Sequence, residues 1–154
     1  MGDGPERARL EELARSLGLG DMVSFAGFVS TAELFGYYHL CEVFIMPSYE
    51  AEAGDFEGYG RVYLEANALG KPVVGARSGG VGDAVLDGET GVLVPPQDAE
   101  AIAQAVIKLF QHREWAVELG LNGRKRVEME LSSEAIANRV LGVMQDVIGG
   151  GVNG

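Results

Sequence analysis

Two carboxylates eight positions apart, Glu57 and Glu65, frame the stretch of this chain best suited to chemistry. Between them stand Gly58, Tyr59, Gly60, Arg61 and Val62, and Gly70 follows. The pattern predicts an acidic, Gly-rich loop over 48–60, a helix from about Arg61 to Leu69, and a left-handed stop at Gly70. A helix N-terminus offers unsatisfied N–H groups and a partial positive charge, which suit a phosphate. Glycines there let an anion approach the main chain closely. An ionised carboxylate only accepts hydrogen bonds, so it suits a sugar diol. Glu65, about one turn inside the helix, could reach a ribose beside the phosphates, and Glu57 could reach a second polyol. Diphosphate with a sugar at each end describes a nucleotide sugar. The plainer alternative is a solvated acidic loop, with Glu50, Glu52 and Asp55, and a helix-surface charge at Glu65. Two carboxylates in register with two glycines favour the ligand.

These residues need a scaffold, and the rest of the chain predicts one. Short apolar runs at Met22–Phe25, Val43–Met46, Val73–Ala76 and Val92–Val94 read as strands. Helices are predicted at Pro5–Leu17, from the capping box Ser30-Thr31-Ala32-Glu33 to Leu40, near Asp83–Leu86, from Asp98 to Phe110, at Arg113–Glu128, and from Ser132 or Ser133 to Ile148. Strands alternating with amphipathic helices imply an α/β domain whose parallel sheet is covered on both faces. Such sheets bind ligands where strands hand over to helices. The loops after Met46 and after Ala76 both leave that edge. Gly79-Gly80 in the second loop is a weak signal alone and suits a simple turn equally well.

Composition narrows the function classes. The chain has 154 residues, 47% of them hydrophobic, which is enough for one globular domain, placed here at 1–148 with a disordered tail at 149–154. A net charge of −11 argues against nucleic acid and against an anionic membrane surface. The single cysteine, Cys41, can form no internal disulfide, which suits the cytoplasm. Its apolar surroundings predict a core thiol rather than a nucleophile. His39 and His112, without a cysteine pair, make no transition-metal site, and no cofactor or metal is expected. No run is long enough to span a membrane. Arg61 and Lys71 are candidate phosphate cations, although Lys71 beside Gly70 suits a helix-end charge better.

Glu57-Gly58-Tyr59-Gly60-Arg61-Val62-Tyr63-Leu64-Glu65-Ala66, followed by Gly70-Lys71-Pro72-Val73-Val74, resembles the Glu-x7-Glu signature of family 4 retaining glycosyltransferases. Further matches flank it in order: Gly2-Asp3-Gly4-Pro5, Val23-Ser24-Phe25-Ala26-Gly27, Pro47-Ser48, Ser78-Gly79-Gly80, and Asp87-Gly88-Glu89-Thr90-Gly91 through Pro95. The resemblance covers almost the whole chain. One departure stands out: Gly82-Asp83 occupies the place of the family's Pro-Glu after Gly79-Gly80.

The resemblance implies a Rossmann-like parallel sheet flanked by helices, part of the C-terminal, donor-binding domain of a GT-B fold. It implies sugar transfer from a nucleotide-diphosphate sugar with retained configuration, without bound metal or covalent nucleophile. Glu57 would hold donor-sugar hydroxyls, Glu65 the ribose diol, and the amides of Gly60 to Val62 the leaving diphosphate, with Gly58, Tyr59 and Arg61 beside them. Phe28 and Val29 mark the weaker expectation for the base, and Gly79 and Gly80 for loop contacts. The insert at 51–56 resembles members that transfer mannose or similar sugars to lipid-linked or polysaccharide acceptors. The partners implied are a nucleotide sugar and an N-terminal acceptor-binding domain outside this chain, with membrane contact only through absent segments, at the inner membrane face. By the family pattern two strands would precede Pro5; without them either Met22–Phe25 pairs directly with Val43–Met46 or two apolar strand edges stay open, and weak nucleotide binding at best and no transfer are expected of these residues alone. Two other readings stay open: a nucleotide-binding module that transfers nothing, and another GT-B enzyme such as a sugar-nucleotide epimerase.

Overall fold

The computed structural model describes residues 3–49 and 58–150, and the chain divides into two compact units, Met1–Leu40 and Cys41–Gly154. The first holds two helices, α1 (Arg7–Ser16) and α2 (Thr31–Leu40). The capping box forms as its residues demand. Ser30 donates its amide and hydroxyl to the Glu33 carboxylate, at 2.8 and 2.7 Å, and the Glu33 amide donates back to Ser30 Oγ at 3.3 Å.

The strand expected at Met22–Phe25 does not form. Its amides turn back locally instead: those of Met22 and Val23 both donate to the Leu19 carbonyl. Arg7, ion-paired with Glu11 at 2.7 Å, donates to the Phe25 carbonyl at 3.2 Å. An apolar run becomes a strand only beside another strand. Among the described residues, none pairs with 22–25.

The second unit is built on a parallel sheet in the order β1 (Phe44–Met46), β2 (Val73–Ala76), β3 (Gly91–Val94). Phe44 pairs with Val73 and Met46 with Gly75; Val73 pairs with Gly91 and Ala76 with Val94. The central strand β2 is buried at every position. Alternation along it sorts the helices. Val74 joins Val94, Ala105, Leu109 and Leu119 in a core roofed by α5 (Ala99–Gln111) and α6 (Arg113–Arg126). Val73 and Gly75 point the other way. There, Gly75 lies against Tyr63 of α3 (Arg61–Ala68) and Val81 of α4 (Val81–Ala84).

Close glycine contacts bring α3 and α6 together. A Cβ on Gly120 would stand 2.0 Å from the Gly70 carbonyl oxygen, and one on Gly123 would stand 2.4 Å from Asn67 Nδ2. Asp98 caps α5 by accepting the Ala101 amide at 2.9 Å. The last helix, α7 (Ser133–Gly150), reaches past Ile148, and residues 151–154 of the expected tail lie outside the described residues.

Helix bounds also differ from expectation at α4 and α6. The short helix expected at Asp83–Leu86 lies at Val81–Ala84. Arg126 ends it from outside, donating to the carbonyls of Asp83 and Ala84, both at 2.7 Å. The helix expected to reach Glu128 is α-helical only to Arg126, and Val127–Leu131 continue as a π-helical turn. No helix among the described residues is long and apolar enough to cross a membrane.

Candidate functional site

The carboxyl ends of β1 and β2 deliver two loops, and the loops meet. Gly80 approaches Gly58 so closely that a Cβ on it would lie 1.9 Å from the Gly58 carbonyl oxygen. Only glycine fits such a main-chain contact without one loop moving. Gly58 and Gly79 are exposed, whereas Tyr59 and Gly80 are half-buried. The elements expected to form a site from these loops are therefore neighbours.

Gly60, buried, is the N-cap of α3 with φ 76° and ψ 55°, a left-handed conformation that disfavours a side chain. Glycine brings no side chain of its own to cap the helix there. Its first turn is closed by the Tyr63 amide donating to the Gly60 carbonyl at 2.9 Å. Arg61 is exposed, and Val62 is half-buried. Glu65, half-buried, sits one turn further along. Glu57 lies outside the described residues, as do Glu50, Glu52, Asp55 and the 51–56 insert. Phe28 and Val29 belong to the first unit, where Phe28 is 85% exposed and Val29 half-buried.

Lys71 belongs to the other end of α3. Gly70 has φ 70°, and the Lys71 amide donates to the Ala66 carbonyl, so this residue closes the helix C-terminus. A cation there complements the helix dipole. The other cation candidate, Arg61, stands at the first residue of the helix. Lys71 also lines a cleft of 180 Å³ with Cys41 and Arg113, at the edge where β1 and β2 begin. Cys41 is half-buried, and burial pushes its thiol pKa up, away from the reactive thiolate. A larger groove of 450 Å³, between residues 86–90 and Asn122 to Glu130, lies at the same amino edge of the sheet. Neither cavity includes the residues around Gly58, Gly60 and Gly80. Ligand chemistry on a parallel sheet belongs at the carboxyl edge, and the loop contact carries more weight than cavity size. Among the described residues, no three His, Cys, Asp or Glu side chains group to hold a metal.

Several supporting residues were not legible as such in the sequence. Tyr63 is fully buried, and its hydroxyl donates to the Met46 carbonyl at the end of β1. Asn67, also buried, donates through Nδ2 to the carbonyls of Lys71 at 3.0 Å and Thr90 at 3.1 Å, tying α3 to the approach to β3. Thr90 in turn accepts the Leu86 amide at 2.9 Å. Asp87 accepts the Leu93 amide at 2.8 Å and pairs with Arg77 at 2.5 Å. A polar Asn within the apolar face Tyr63, Ala66, Asn67 is the one signal that could have been read beforehand, because a buried amide needs partners.

A family model described as "Glycosyl transferases group 1" matches residues 1–126. The chain is 38% identical over 141 residues to a GDP-mannose-dependent alpha-(1-6)-phosphatidylinositol monomannoside mannosyltransferase of Mycobacterium tuberculosis, covering 91% of this chain and 37% of that relative. Among solved structures, the sucrose-phosphate synthase of Thermosynechococcus elongatus superposes with a TM-score of 0.78 at 36% identity, over 97% of this chain and 37% of that one. Anabaena Alr3699/HepE in complex with UDP and glucose superposes with a TM-score of 0.76 at 25% identity, over 90% of this chain and 37% of that one. The chain thus spans little more than a third of these proteins. Its α/β fold is that of GT-B glycosyltransferases, with a Rossmann-like parallel sheet between helices. Motif order, fold and family match agree: the chain belongs to the group 1 glycosyltransferases.

Proposed function

We propose that this chain is the donor-binding part of a retaining glycosyltransferase that moves a hexose, mannose or a similar sugar, from a nucleotide-diphosphate sugar to a glycan or lipid-linked acceptor. The observation that carries this reading is the Gly58–Gly80 contact, which joins the α3 N-terminus to the loop after β2 at the carboxyl edge of the sheet. In this reading the Gly60 to Val62 amides hold the diphosphate. They stabilise the charge that develops on it as the glycosidic bond breaks. Glu65 accepts from the ribose diol, and Arg61 adds a cation. Glu57 holds donor-sugar hydroxyls, and Gly79 lines the phosphate side. No metal has a part in this scheme.

The relatives support the class of ligand. One is named for GDP-mannose and a phosphatidylinositol mannoside acceptor, and another was solved with UDP and glucose. A lipid acceptor of that kind would place transfer at the cytoplasmic membrane face, and polysaccharide synthesis is the other setting that the reading allows.

Calorimetric titration of the chain with GDP, UDP, GDP-mannose and UDP-glucose tests the proposal, together with a transfer assay in the longer protein. Saturable binding with a diphosphate as the minimal ligand is expected. Glu57→Ala should spare the free diphosphate and damage turnover. Binding without turnover in the longer protein would favour a nucleotide-binding module. Turnover of the nucleotide sugar without an acceptor would favour an epimerase. No binding of any nucleotide would overturn the reading.

A further inference from the structure

β1 and β2 leave the sheet alike. The Ser48 amide donates to the Met46 carbonyl at 2.9 Å, and the Ser78 amide donates to the Ala76 carbonyl at 2.8 Å. Each bond reaches back two residues and bends the chain sharply off the sheet edge. The Met46 carbonyl receives a second donor, the Tyr63 hydroxyl of α3.

Tyr63 is well placed to hold α3. Its side chain is fully buried, and its ring meets the Phe44 ring edge-on at 5.9 Å and 84°. The same ring lies under Gly75, where an added Cβ would stand 3.2 Å from two ring carbons. Through its amide, Tyr63 also closes the first turn on Gly60. One residue therefore ties the helix N-terminus to the last residue of β1 and packs it on β2. A phenylalanine would keep the packing and lose the bond to Met46.

We propose that Tyr63 is a positioning residue for sugar transfer: its hydroxyl on the Met46 carbonyl sets where the Gly60 to Val62 amides stand relative to the sheet edge, and so how well they hold a diphosphate. This rests on the function proposed above. A buried hydroxyl that bonds a carbonyl orients the helix end without touching the ligand. Shifting donors away from an anion weakens each bond, because hydrogen bonds lose strength steeply with distance and angle.

The test compares the native chain, Tyr63→Phe and Ala105→Gly, which loosens α5 away from the site. GDP and UDP are titrated well below the unfolding midpoint of each. Tyr63→Phe should lose roughly tenfold in affinity, the scale of one hydrogen bond, while Ala105→Gly binds as the native chain does. Exchange of the Tyr63 amide, which closes the first turn on the Gly60 carbonyl, measured without nucleotide, should quicken in Tyr63→Phe alone. Unchanged affinity in Tyr63→Phe, equal losses in both variants, or unchanged exchange at this amide would overturn the role of Tyr63 and leave the proposed function standing. A native chain that binds neither nucleotide would instead remove the proposed function, and this inference with it.

Discussion

Gly80 rests on the carbonyl of Gly58: a Cβ at position 80 would stand 1.9 Å from that oxygen and 3.0 Å from the carbonyl carbon. Gly80 itself has φ −85° and ψ 12°, a conformation open to any residue, so glycine is required here by space and not by backbone angle. Gly80→Ala should therefore push the two loops apart. We expect a loss of about 1–3 kcal/mol in stability, as for other overpacked sites. Nucleotide affinity should fall as well. Gly82, two residues on, has nothing within 4 Å of an added Cβ. Gly82→Ala should be neutral or stabilise by about 0.5–1 kcal/mol, through lower entropy in the unfolded chain. Denaturant midpoints measured side by side check both; equal effects would contradict the contact.

Glu65→Ala should weaken nucleotide-sugar binding by roughly 1.5–3 kcal/mol, the range for hydrogen bonds to a charged group. The loss should shrink with a 2′,3′-dideoxyribose analogue, which has no diol to offer. Calorimetry with both ligands decides, and equal losses would show that Glu65 does not hold the ribose.

Asn67 ties α3 to two carbonyls, those of Lys71 and Thr90. Asn67→Ala takes the amide donor from both, the Thr90 bond being buried and the Lys71 bond partly so, and should cost roughly 1–3 kcal/mol. Asn67→Asp should fare no better, because an ionised carboxylate cannot donate to either carbonyl. Chemical denaturation measures the cost. A change below about 0.5 kcal/mol for Ala, the range of ordinary surface substitutions, would mean that the bridge contributes nothing.

The capping box of α2 makes a pH prediction. The Ser30 hydroxyl, and then its amide, hold the Glu33 carboxyl below its ordinary value of 4.5. A carboxyl lowered in the folded state adds stability above its unfolded pKa and loses it as pH falls through the folded pKa. The gap in thermal midpoint between the native chain and Glu33→Gln should be steady near neutral pH and close on acidification below 4.5. A gap that widened in acid would have the wrong sign.

Local chemistry was enough for much of this fold. Ser30 with Glu33, Asp98 ahead of Ala99, and Gly70 after α3 each act on amides or carbonyls within a few residues, so the helix ends that they mark stand where the sequence places them. Val73–Ala76 could be read as a buried strand because every one of its residues is apolar or glycine, and both faces are indeed covered. The order of Glu57, Gly58, Gly60 and Glu65 identified the family, since a signature is a property of spacing.

Other features depended on residues far away in the chain. Met22–Phe25 has a strand's composition but no strand beside it among the described residues, and pairing is a property of two segments. The end of α4 was decided by Arg126, more than forty residues on, because its guanidinium takes the carbonyls that would have continued the helix. The burial of Tyr63 on Met46 and Phe44 followed from α3 lying back across the sheet. The contact of Gly58 with Gly80 required two loops from adjacent strands to meet. Sequence spacing encodes bonds that close within a turn; which distant carbonyl a buried donor finds is decided only when the sheet and its helices pack.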